Sequence, residues 1–147
     1  MHRAVLKALL LTGISLAANS ASHNAESRFA SMEKSDMTYR QLMEMLGEAS
    51  AMAHLGILRE NKQMVKQATS IITGHPAPSQ KPWVIMPTND QAQFKATLLV
   101  FDPLLDQHAS AIAAYADKNN WPAASQALSE LNAACIGCHA LWRKRVQ

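Results

Sequence analysis

Residues 121–145 read WPAASQALSELNAACIGCHALWRKR, and this stretch decides the fold. Alanine, leucine, glutamine and glutamate dominate it, all good helix formers. Trp121-Pro122 suits a first helical turn, where the missing proline N–H has no intrahelical partner anyway. Ala124, Leu128, Leu131, Ala134, Cys135, Cys138 and Trp142 then recur at helical spacing. Both cysteines therefore sit on the apolar face of a C-terminal helix, with His139 beside it.

Cys135-Ile136-Gly137-Cys138-His139 has the C-x-x-C-H spacing of haem c attachment: two thiols for the two vinyl groups of one haem, and an adjacent imidazole to ligate the iron. The 147-residue chain has 2 cysteines, so one cofactor accounts for both. Rival chemistries fit less well. A C-x-x-C redox pair belongs to a βαβ context, and no strand-like run precedes Cys135. Structural zinc needs four ligands, usually two such pairs. A disulfide between residues three apart on a helix is geometrically poor.

Working towards the N-terminus, the rest of the chain also reads as helix only. Sustained period-two alternation is absent. A first helix is expected from a cap at Ser35 or Asp36 to about Leu58. Its apolar positions form two stripes, Leu42, Met45, Ala49, Met52 and Ala53, and Met43, Leu46, Gly47 and His54. That breadth predicts burial on more than one side. Asn61 caps a second helix that runs to about Thr73 and ends at Gly74. Residues 74–87 carry Pro76, Pro78, Pro82 and Pro87, which exclude helix. Trp83 to Met86 is apolar and should pack over the helices. Thr88-Asn89-Asp90-Gln91 reads as a capping box opening a third helix. Phe94, Leu98, Phe101, Leu105, Ile112 and Tyr115 follow at helical spacing, and Pro103 is expected to kink or restart the helix. Lys118 to Asn120 is a turn. The reading is all-α: an antiparallel four-helix bundle, a scaffold that holds cofactors between helices.

Residues 1–21 look like a signal peptide. Basic His2, Arg3 and Lys7 precede an apolar stretch, Ala8 to Ala18, too short to span a bilayer, and small residues follow. Export to the periplasm is expected, leaving residues 22–147 as one domain with no membrane span. Whole, the chain has 14 Lys+Arg against 11 Asp+Glu, net +3; without Arg3 and Lys7 the balance is 12 against 11, or +1. No long basic run interleaves with aromatics, so nucleic acid is not an expected partner.

A haem motif inside the last of four helices is similar to the cytochrome c-prime family, the class II c-type cytochromes, over roughly residues 36–145. Tyr39, Met43 and Gly47 match the spacing of that family's first-helix pattern, with the arginine displaced to Arg40. The proline-rich loop departs from it, which marks a divergent member. The resemblance implies one covalent haem c through Cys135 and Cys138, with His139 as proximal iron ligand. It places Met43 where the cytochrome c556 branch has its distal methionine. Met45, Met52, a histidine or an open sixth position are the alternatives. It implies a one-electron carrier with redox partner proteins, not an enzyme. The alternative is a five-coordinate haem that binds nitric oxide or carbon monoxide. A homodimer through the first two helices is a further expectation.

Other residues read more simply. His54 lies three turns from Met43, about 16 Å along the helix, so only one of the two can cover an iron. His108 is a candidate second histidine but reads better as a boundary residue. His75 and His23 read as loop residues. Arg143, Lys144 and Arg145 complement a helix C-terminus, or rim the haem edge for an acidic partner. Trp83, Trp121 and Trp142 read as packing residues, with Trp142 placed to cover a haem edge.

Overall fold

The computed structural model describes residues 27 and 29–146. The expected signal peptide, residues 1–21, and His23 lie outside them. The described chain is all-α. Four long helices span Tyr39–Leu58 (α1), Lys62–Thr73 (α2), Gln91–Asp117 (α3) and Trp121–Trp142 (α4). A short 3-10 helix, Pro82–Ile85, lies in the loop between α2 and α3, where the four prolines were expected to exclude helix; Pro82 opens the turn, where its missing N–H costs no bond. One feature departs from the helix-only reading: Lys34–Ser35 (β1) pairs in parallel with Ala77–Pro78 (β2).

Two helix starts follow the expected local chemistry. The side chain of Asn61 accepts from the Met64 N–H at 3.0 Å, and that of Asn120 accepts from the Ala123 N–H at 3.2 Å. Glu60 and Asn119 take positive φ of 51° and 55° in the turns α1–α2 and α3–α4. Asparagine tolerates that region better than most residues.

Two other starts differ from expectation. α1 begins after Thr38, not at Ser35 or Asp36. Thr38 and Gln41 form a reciprocal capping box, with bonds of 3.2 and 2.8 Å. Ser35 and Asp36 are engaged elsewhere: the Ser79 hydroxyl donates to the Ser35 carbonyl at 2.8 Å and to the Asp36 carboxylate at 3.3 Å. The Thr88–Gln91 box does not form. Asp90 makes no capping bond, and its carboxylate accepts from Arg145 at 3.3 Å. The Gln91 amide donates to the Met86 carbonyl at 3.1 Å instead. α3 also runs unbroken through Pro103, whose exposed ring stands on the solvent side.

Long-range bonds set the helix directions. His108 pairs with Glu130, and the Phe101 ring lies against Gly137, so α3 and α4 are antiparallel. Lys62 donates to the Asp117 carbonyl, while His75, just past α2, meets Asp102; α2 and α3 are also antiparallel. α1 packs on both α2 and α4. At Gly56 α1 and α2 approach closely: a Cβ there would stand 2.8 Å from the Val65 side chain. The buried part of α1 is one stripe, Leu42, Leu46, Ala49, Ala53, Gly56 and Ile57, narrower than the sequence suggested. Gly47 and His54 are exposed.

α2 rises about 18 Å and α1 about 30 Å. The shortfall divides the interior in two. Where all four helices overlap, the core is aliphatic, with Ala53, Val65, Ala68, Ala109, Ile112 and Leu131 almost fully buried. Beyond the end of α2 the 74–87 loop replaces it. There Trp83 and Met86 join Phe94, Leu98 and Trp142 in a second, largely aromatic cluster. Phe94 contacts Trp142 and Tyr39 edge-on, at centroid distances of 5.3 and 6.0 Å.

Candidate functional site

Cys135, Cys138 and His139 stand on α4 where it crosses from the aliphatic core into the aromatic one. At about 100° per residue, Leu128, Leu131, Cys135, Cys138 and Trp142 fall within an arc of about 80°. His139 lies about 20° outside it. Leu128, Leu131 and Trp142 are buried to 3, 1 and 4 % exposure. Cys135 and Cys138 lie on the same line yet are only half-buried. The covered face of α4 therefore has a notch at the level of the two thiols. Cys138 packs at the edge of the aromatic cluster. Gly137 lets the Phe101 ring close on the helix, since a Cβ there would stand 3.3 Å from it.

Both thiols are free. Burial pushes the pKa of each up, and Cys135 adds to the rise at Cys138. Reactive thiol pairs have depressed values instead. Among the described residues no group of three or more His, Cys, Asp or Glu converges on a point where a metal ion could be held. The two thiols and the exposed imidazole of His139 are spread along one helix edge.

α1 faces this edge. The Ser50 hydroxyl donates to the Asn132 side chain at 2.9 Å. Tyr39, near the other end of α1, joins the cluster that contains Cys138 and Trp142. α1 thus runs antiparallel to α4, and Met43 falls level with the cysteine motif. Tyr39, Met43 and Ser50 lie within about 40° of one another around α1. Met45 and Met52 point about 140° or more away from Ser50. All three methionines are partly buried against the aliphatic core, so helical register distinguishes them and burial does not.

The other histidines separate clearly. His54 is exposed. His108 Nδ1 lies 3.3 Å from the Glu130 carboxylate, as a boundary residue would. His75, read from sequence as an unremarkable loop residue, is buried. Its Nε2 lies 3.2 Å from the Asp102 carboxylate and its Nδ1 3.2 Å from the Pro76 carbonyl. Both partners are acceptors, an arrangement that favours the doubly protonated ring. Burial alone would lower its pKa, but the Asp102 bond, aided by the Pro76 carbonyl and by Asp106, carries it above the ordinary histidine value. The available signal was Asp102 itself, one turn after Leu98 on the inward side of α3: an acid there needs a partner. Tyr39 stands between this pair and the thiols. Burial chiefly, then Cys138 and Asp102, pushes its hydroxyl pKa well up, so it stays neutral.

A cavity of about 210 Å³ lies at the other end of the molecule, between α2 and α3, lined by Lys62, Lys66, Ser70, Ser110 and Asp117 among others. It is remote from the cysteine motif. No family model matches the chain, and no curated protein or solved structure matches it.

Proposed function

We propose that this protein is an exported, monohaem c-type cytochrome that carries one electron, built as an antiparallel four-helix bundle of the cytochrome c-prime kind. The observation that carries the reading is the C-x-x-C-H motif set in a notch on an otherwise covered helix face. The donor set fits haem c. Cys135 and Cys138 would hold the macrocycle as thioethers, His139 would supply the proximal nitrogen, and Met43 is the distal candidate. The haem, when bound, supplies the one-electron iron couple. The chain's own residues do the rest. Phe101, Leu98 and Tyr39 provide apolar surroundings that exclude water. A thioether supplied by Met43 would favour the ferrous state and raise the potential. The redox partner is a protein that approaches the exposed motif edge, where Ile136 and Arg143 are open to solvent.

Expression with a haem c maturation system tests this. Denatured protein should retain haem, with its mass raised by one haem, and Cys135→Ala/Cys138→Ala should lose it entirely. Haem-free wild-type protein from such cells overturns the reading. A low-spin ferric spectrum that becomes high-spin in Met43→Ala supports the electron carrier. High-spin wild-type iron that readily takes up carbon monoxide overturns it in favour of a gas-binding haem.

A further inference from the structure

Among the described residues, the aromatic cluster holds a donor with nothing to donate to. Trp142 is 4 % exposed, and its indole Nε1–H has no acceptor among the described residues. A buried donor left unpaired carries the full penalty of its lost hydration. Native proteins leave few such groups, and each calls for a reason. Packing does not supply one here. The Trp142 ring is engaged by Phe94 at 5.3 Å and by the Arg145 guanidinium at 5.2 Å, but neither offers a lone pair.

The surroundings define the missing acceptor. It reaches a point one helical turn past Cys138, about 6 Å along the axis. It enters an apolar cluster, so it belongs to something that covers that cluster. It also meets positive charge: Arg145 lies over the indole with Asp90 as its partner at 3.3 Å, and Arg143 and Lys144 are exposed in the same turn. A carboxylate on a bulky apolar body meets all three conditions. Haem carries two, and the thiols that would bind it are one turn away.

We propose that the Trp142 indole N–H binds a haem propionate, with the Arg145 guanidinium as countercharge; this rests on the haem c reading above. Trp142 is then a cofactor-binding residue, not only packing. The bond favours the ionised carboxylate and lowers the pH at which the propionate protonates. Trp142→Phe keeps the aromatic body and removes only the donor. Arg145→Gln removes the charge from an exposed position and leaves the core intact.

The test uses purified protein with haem covalently bound. The indole N–H of Trp142 is read by nitrogen-15 NMR, assigned by its disappearance in Trp142→Phe. The midpoint potential is followed against pH. A strongly hydrogen-bonded indole signal is expected in the wild type. The propionate step in the potential should move up by about one pH unit in Trp142→Phe, and by less in Arg145→Gln, with haem content unchanged. An indole N–H that exchanges as freely as that of half-buried Trp121 overturns the proposal, as does an unmoved pH step in fully loaded Trp142→Phe. Should that variant not fold, the wild-type indole shift and the Arg145→Gln step decide. Wild-type protein without covalent haem sinks the haem reading itself, a different and recognisable failure.

Discussion

The two cores of this protein are built on opposite principles. The aliphatic core contains seven alanines, Ala49, Ala53, Ala68, Ala109, Ala116, Ala124 and Ala127, among its buried residues and no buried aromatic. Small side chains bring four helices close, and the buried Thr69 hydroxyl on α2 is satisfied within its own helix by the Val65 carbonyl at 3.0 Å. The aromatic core gathers Trp83, Phe94 and Trp142 under a proline-rich loop. It contains the orphan indole, adjoins the His75–Asp102 pair and borders the half-open thiols. The first region is complete on its own, whereas the second carries features that a bound cofactor would complete.

The difference can be broken by mutation. Ile112 is fully buried in the aliphatic core, and Ile112→Ala should cost about 4 kcal/mol in urea unfolding, independent of haem. A loss below about 1 kcal/mol would mean this core is not the tight one. Asp102→Asn leaves the buried His75 imidazole without its counterion and should cost about 3 kcal/mol. Its effect should centre on the 74–87 loop, seen as faster amide exchange there while α2 stays protected. Equal exchange in both regions would show that the two cores unfold as one.

Gly56→Ala forces a Cβ to within 2.8 Å of Val65. The overpacking, about 2 kcal/mol, should outweigh the gain of about 1 kcal/mol in helix propensity. Gly47 is the control, because a Cβ there meets nothing within 4 Å. Gly47→Ala should stabilise by somewhat under 1 kcal/mol, and a loss would show that something packs on that face. The smallest expected effect is a tilt with pH. The folded pKa of His75 is raised, so its contribution is fully present below the unfolded value of about 6.5 and declines as pH rises through the folded value. Chemical denaturation across that range should show wild-type stability falling relative to His75→Gln. A parallel pair of curves would mean the pair is not held as ions.

Local chemistry made much of this legible before any coordinates. Asn61 and Asn120 cap their helices because the bond runs from a side chain to a backbone three residues on, and no distant group competes. Residues 34–36 and 88–91 read wrongly for the converse reason. Arg145 engages the Asp90 carboxylate and Ser79 engages that of Asp36, both from tens of residues away, while the Ser35 hydroxyl accepts locally from the Met37 N–H and Thr38 takes the cap. Pro103 was expected to kink or restart the helix; no restart occurs, because an exposed proline forfeits only one hydrogen bond and α3 continues through it.

By itself the sequence determined the all-α character, the turns, the apolar loop and the C-x-x-C-H donor set. These depend on spacing within one or two helical turns. Tertiary structure alone decided that the interior splits in two, that Met43 and not Met45 or Met52 lies along the face that meets α4, that His75 is buried against Asp102, and that Trp142 has an unpaired donor. Each depends on the register between segments far apart in the chain, and that register is set by how whole helices pack.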